Sequence, residues 1–132
     1  MHLHVFEQFI ELINDHHADE LGSFMTVDHI LIDAHGNKIT GKENVIDGWK
    51  MYFAMFPDYW IEINERLEKD NIVFGFGTAS ATHAGHIAGD SNNFFKIPAA
   101  FRAIIEGEKI NVWQVYSDTK IPFEIIERNK AK

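Results

Sequence analysis

Three side chains in this sequence are placed to move protons. Asp118 follows Ile110, Val112, Gln114 and Tyr116 at even spacing, so on an extended strand all five share one face. Trp113, Val115 and Ser117 take the other face. Tyr116 and Gln114 would stand beside the carboxyl to orient a substrate oxygen. The competing role for Asp118 is to end a strand and cap the helix after it. Asp33 is the second candidate, five residues after Asp28 and eight before Gly41. Its competing role is an Asx turn ahead of His35-Gly36. His83 ends an extended segment, where an imidazole can shuttle a proton or contact a ligand. A structural His bonded to a loop carbonyl fits the same position.

Other chemistries are poorly served. There is no Cys, which excludes disulfides, thiolate metal sites and thiol catalysis. His83 and His86 are three apart and His2 and His4 two apart, whereas a metal needs three or more convergent ligands. No metal is expected. His16, His17, His29 and His35 fall near turns and read as solvated. Gly75-x-Gly77 lies mid-strand and opens no helix, so it is not a dinucleotide fingerprint. No Ser sits in a nucleophile elbow. No cofactor is implied.

These groups must be held by a chain of 132 residues, one domain's length, expected to span 1–132. With 45% hydrophobic and 13% aromatic residues it can bury a core. A net charge of −8 repels phosphate backbones and anionic bilayers, so neither nucleic acid nor membrane is an expected partner. Trp49, Trp60 and Trp113 then read as core or interface rather than as a base-stacking platform. Glu7 and Glu11 interrupt the N-terminal apolar run, and no address signal is seen, so a cytoplasmic location is expected.

Val5, Phe6, Phe9, Ile10, Leu12 and Ile13 recur at helical spacing and predict a helix over 2–14. A short second helix is expected over 18–24 and a strand over 28–33. Thr40 and Glu43 form a capping-box signature, opening a helix that carries Val45, Ile46, Trp49, Tyr52, Phe53 and Phe56. Pro57 stops it. From there the period is two: strands over 59–67, 72–83, 94–105 and 110–118, with turns at 69–71 and 106–109 and a polar loop over 85–93. A closing helix is expected over 122–129, opened by Pro122. Helices first and a meander after means α+β, with helices on one face of a curved antiparallel sheet. The small side chains of Gly75, Gly77, Ala79 and Ala81 leave room for a ligand or let another element pack close; close packing is the stronger expectation.

Phe56-Pro57-Asp58-Tyr59, Thr82-His83-Ala84-Gly85, Gly107-Glu108-Lys109-Ile110, then Trp113 and Asp118, together resemble the SnoaL-like branch of the nuclear transport factor 2-like superfamily. The resemblance implies a cone: a strongly bent antiparallel sheet wrapped around N-terminal helices and enclosing a pocket. It implies polyketide cyclase, ketosteroid isomerase or epoxide hydrolase relatives, and pocket proteins with no known reaction. It places the acid/base Asp at Asp118, inside the pocket, where desolvation would raise its pKa. It sets Asp33 near the isomerase base. The isomerase's two oxyanion donors fall on Phe9 and Ala100, which cannot donate. The hydrolase's Arg-x-Asp is missing. Arg102 can face Asp118 across the sheet, where it would keep that carboxyl ionised. The cyclases' His near the Asp is also missing.

The expected function is therefore a small-molecule pocket protein. In one form it is an acid/base enzyme acting on an apolar oxygenated ligand through Asp118, Asp33 or His83. Tyr116, Gln114, Trp49, Tyr52, Phe53, Phe9 and Arg102 would contact that ligand. In the other form it is a non-catalytic binding or dimeric module. A homodimer is expected through the outer sheet face, carried by Trp113, Val115, Phe101 and Ala103.

Overall fold

The computed structural model describes residues 2–85 and 93–130. Helices α1 (His2–Asn14) and α2 (Ala18–Gly22) come first, followed by strands β1 (Met25–Ile32) and β2 (Lys38–Thr40) and then helix α3 (Lys42–Met55). Strands β3 (Trp60–Lys69), β4 (Ile72–Thr82), β5 (Phe94–Glu106) and β6 (Lys109–Tyr116) follow, then helix α4 (Lys120–Lys130). The fold is α+β, as expected, with one bent, unclosed six-stranded sheet in the order β2-β1-β6-β5-β4-β3.

Two features depart from the expected meander. Strand β2 was not anticipated; it pairs with β1 around a tight turn in which Gly36 adopts φ 83°. Strand β1 then runs parallel to β6, with Leu31 opposite Trp113, so the sheet is mixed rather than wholly antiparallel. The capping box at Thr40 and Glu43 does not form. Thr40 belongs to β2, Gly41 precedes the helix, and no side chain caps it. The loop expected over 85–93 lies, from 86 to 92, outside the described residues, and so does His86.

The helices bury one stripe each against the concave sheet face. Helix α1 contributes Val5, Phe6, Phe9, Ile10 and Ile13, and α3 contributes Val45, Ile46, Trp49 and Phe53. The small residues of β4 admit other chain segments rather than a ligand. A Cβ on Gly75 would lie 2.6 Å from Phe6 Cζ. One on Gly77 would lie 1.8 Å from the Glu62 carbonyl oxygen, where β3 bulges past Asn64. Arg66 of β3 pairs with Glu7 and ties the sheet edge to α1.

Candidate functional site

A bulge decides which side chains look inward. Ile105 pairs with Ile110 and Ile104 with Val112, so Asn111 is an extra residue in β6. The strict alternation read from the sequence therefore fails there. Ile110 and Trp113, three apart, both point into the core. Val112, Gln114 and Tyr116 point out.

This inverts two expectations. Trp113, Phe101 and Ala103 do not form an outer face; all three are buried, and Val115 packs against the same core. Tyr116 and Gln114 do not line an interior. Tyr116 is 48% exposed, and Gln114 accepts a hydrogen bond from Arg102 at 2.9 Å on the convex face. Asp118 lies beyond the end of β6, so strand parity does not reach it. It is exposed, and its Oδ1 accepts from the Lys120 backbone N–H at 3.0 Å, the capping role weighed against proton transfer. Arg102 faces Gln114 rather than Asp118.

Asp33 is also at the surface. Its Oδ1 accepts from the His35 and Asn37 backbone N–H groups at 2.9 Å, an Asx turn. Burial raises its pKa, but those bonds and the Asn37 amide together outweigh it, so the carboxyl sits below its ordinary value. Such a group is a poor base at neutral pH.

His83 is half-buried at the end of β4, edge-on to Phe56 at 5.5 Å. Its Nδ1 accepts from the Asn129 side chain of α4 at 2.7 Å. The same amide donates to buried Asn93, and the Arg128 guanidinium does too. Gly85 lets this contact form, since a Cβ there would meet Asn129 at 2.4 Å. Burial pushes the imidazole below its usual pKa. Nearby, Asp58 accepts from the Thr82 backbone and hydroxyl at 2.6 and 2.7 Å. Two of the sequence motifs thus meet at this rim of the sheet, where α4 docks through Ile125.

Four of the expected contact residues do converge inside. Phe9, Trp49, Tyr52 and Phe53 belong to one aromatic interior with Phe6, Phe56, Tyr59 and Trp113. Tyr52 and Tyr59 stand edge-on at 4.9 Å and share a hydrogen bond. Burial pushes Tyr52 up to about 12 and Tyr59 well above the ordinary phenol range. Both are neutral hydroxyls at any physiological pH. Trp113 stacks on Phe101 at 5.4 Å and meets Phe9 at 5.0 Å and Phe6 at 5.5 Å.

The interior also holds a residue that sequence reasoning assigned to solvent. His29 is 0% exposed. Its Nδ1 lies 2.7 Å from the Ile110 carbonyl oxygen, which can only accept, so Nδ1 carries the proton. Desolvation lowers its pKa, outweighing that bond and the nearby Asp28 charge, which both raise it. Its place two residues before half-buried Leu31 was the available signal, weakened by Val27, which shares that parity and is exposed. His29 Nε2, Trp49 Nε1 and Trp113 Nε1 are buried without a hydrogen-bond partner among the described residues.

Two surface clefts, of about 410 and 370 Å³, flank His16 outside this interior. One is lined by Asn14, Asp58 and Trp60 among others, the other by Asp19, Glu20 and Lys50. Among the described residues, no cluster of His, Asp or Glu could hold a metal ion.

Residues 6–113 match the SnoaL-like domain family. The chain belongs to that family. Solved structures share its fold at low identity. IdmH of Streptomyces antibioticus, a proposed polyketide cyclase, superposes with a TM-score of 0.78 at 14% identity, covering 96% of this chain and 99% of that one. A Mycobacterium tuberculosis epoxide hydrolase gives 0.77 at 12% identity, covering 98% and 92%. A protein from Catenulispora acidiphila with a ketosteroid isomerase-like fold gives 0.73 at 18% identity, covering 85% and 83%. No curated protein sequence matches this one. Among the described residues of this SnoaL-like chain, no helix is long and apolar enough to cross a membrane.

Proposed function

We propose that this SnoaL-like protein binds a small apolar, oxygen-bearing molecule on the concave face of its sheet. One observation supports the reading above the rest: an aromatic interior that contains three nitrogen atoms with no partner among the described residues. A core serving packing alone has no use for them, since each unpaired buried polar group costs about 1–3 kcal/mol. Aromatic walls with a few polar atoms are the ordinary composition of a small-molecule site. An acid/base reaction such as isomerisation, cyclisation or hydration is the narrower form of the proposal. Within it the interior group available to exchange a proton is His29, because Asp118 faces water. Thermal melts with a panel of apolar alcohols, ketones and epoxides test the binding. A true ligand at 100 times its Kd should raise Tm by roughly 10 °C. A panel without any stabilising member counts against the proposal.

A second reading, a homodimer through the convex sheet face, has its own support. Leu67, Phe76 and Tyr116 are 62%, 39% and 48% exposed there. Phe76, Ala100 and Tyr116 are paired across three adjacent strands. An apolar surface of that kind favours association. Light scattering on a sizing column should give twice the chain mass, and Phe76→Glu should halve it. A monomeric wild type removes this reading.

A further inference from the structure

We propose that helix α4 is an acid-released latch over one end of the aromatic interior, held shut at its C-terminal end by the neutral imidazole of His83. The inference stands whether or not that interior takes a ligand. Helix α4 lies outside residues 6–113, the part of the chain that matches the family. It buries Pro122 and Ile125. Ile125 and Asn129 are four apart and share one face of the helix. Asn129 reaches His83, His83 stands edge-on to Phe56 at 5.5 Å, and Phe56 meets Phe95 at 5.8 Å. This end of α4 therefore closes the interior where those two rings approach the rim.

One side chain fixes the polarity of the whole contact. The Arg128 guanidinium can only donate, so the Asn93 atom 3.2 Å from it is the oxygen. That same oxygen lies 3.2 Å from the Asn129 amide, which must present its NH2. The NH2 lies 2.7 Å from His83 Nδ1, so Nδ1 accepts and carries no proton. Protonation turns Nδ1 into a donor aimed at a donor. Rotating the Asn129 amide would satisfy the imidazolium but set two oxygens against each other at Asn93. Rotating Asn93 as well would set its NH2 against Arg128. No orientation of the two amides satisfies all four groups.

The surrounding charges do not rescue the imidazolium. Among the described residues, α4 brings the Arg128 cation, and its Glu127 is paired with Lys130 at 3.3 Å. Asp58, on the turn after α3, spends both oxygens on Thr82. Asn93, just before β5, is neutral. Burial adds to the penalty. The other end of α4 is built differently. His35 Nε2 lies 2.6 Å from the Thr119 hydroxyl, which can donate or accept, so that contact holds in either charge state. The helix therefore pivots at Thr119 and lifts at Asn129.

Amide hydrogen exchange of the full chain between pH 7.5 and 5, corrected for intrinsic rates, reads the release. In the lifted state His83 returns to its ordinary 6.5, so protection over residues 123–129 should fall by up to about thirtyfold across that range. Amides of β4 and β5 are the internal reference, since acid also acts on the whole fold through His29. His83→Gln keeps an acceptor oxygen and does not titrate, so its α4 protection should follow that reference alone. Asn129→Asp is the second variant: its carboxylate accepts from an imidazolium, so α4 should tighten rather than loosen as pH falls. An equal loss in wild type and His83→Gln overturns the latch, and so does an undiminished loss in Asn129→Asp. A wild-type α4 that exchanges only together with β5 also overturns it, because such a helix never opens alone.

Discussion

Acid should destabilise this fold through His29, and the size of the effect follows from its burial. The imidazole is neutral and fully enclosed, and desolvation holds its pKa below the ordinary 6.5. The unfolded chain leaves it in water at that ordinary value. Below pH 6.5 the unfolded state therefore binds a proton that the native state refuses. A lowered imidazole pKa contributes stability that is complete above pH 6.5 and is lost as pH falls toward the native value. Once the unfolded His is charged, the loss approaches about 1.4 kcal/mol per pH unit. A native imidazole that stays neutral throughout would lose about 2 kcal/mol by pH 5. That is a large share of the roughly 5–15 kcal/mol that holds a domain together. His83 pulls in the same direction, so wild type alone does not isolate the effect. Urea unfolding of wild type and His29→Gln between pH 7.5 and 5 does. The variant pays its own packing cost at every pH, so the slopes are compared, not the midpoints. Wild type should lose more stability with falling pH than the variant. Parallel slopes would mean that His29 is protonated or solvated in the native state, and the neutral form assigned to it would fail.

Other outcomes follow from single contacts. Gly77→Ala drives a Cβ into the β3 backbone at Glu62 and should cost on the order of 3 kcal/mol or more, whereas Gly75→Ala meets the tip of the Phe6 ring and should cost less; urea midpoints give the order. Trp113→Ala removes a ring packed on Phe6, Phe9 and Phe101 and should lose about 3–5 kcal/mol by the same measurement. Asp118→Asn keeps the bond to the Lys120 N–H and touches nothing inside, so ligand binding and melting should match wild type; lost binding would return that carboxyl to the site. Ultraviolet titration should leave Tyr52 un-ionised at pH 11, with its phenolate appearing near pH 12 or on unfolding.

Helix periodicity and strand alternation carried most of the architecture, because α1, α3 and the long strands each bury one face against a common core. The motifs around Phe56–Tyr59 and Thr82–Gly85 carried the family. They are legible locally because Asp58 binds Thr82 and Gly85 lets Asn129 approach, constraints that fix residue types at those positions.

The site was less legible. Period two divides Ile110–Tyr116 into two faces but does not say which face meets the helices, and the extra residue at Asn111 breaks the period itself. Asp118 left the interior for that reason: its face was extrapolated along a strand that ends at Tyr116. His29 entered it because β1 pairs in parallel with a strand about 80 residues later in the chain, a contact that no local pattern encodes. Composition and spacing thus determined that this chain folds as α+β around an aromatic core. Long-range register, which depends on how two distant strands meet, decided which polar groups that core encloses.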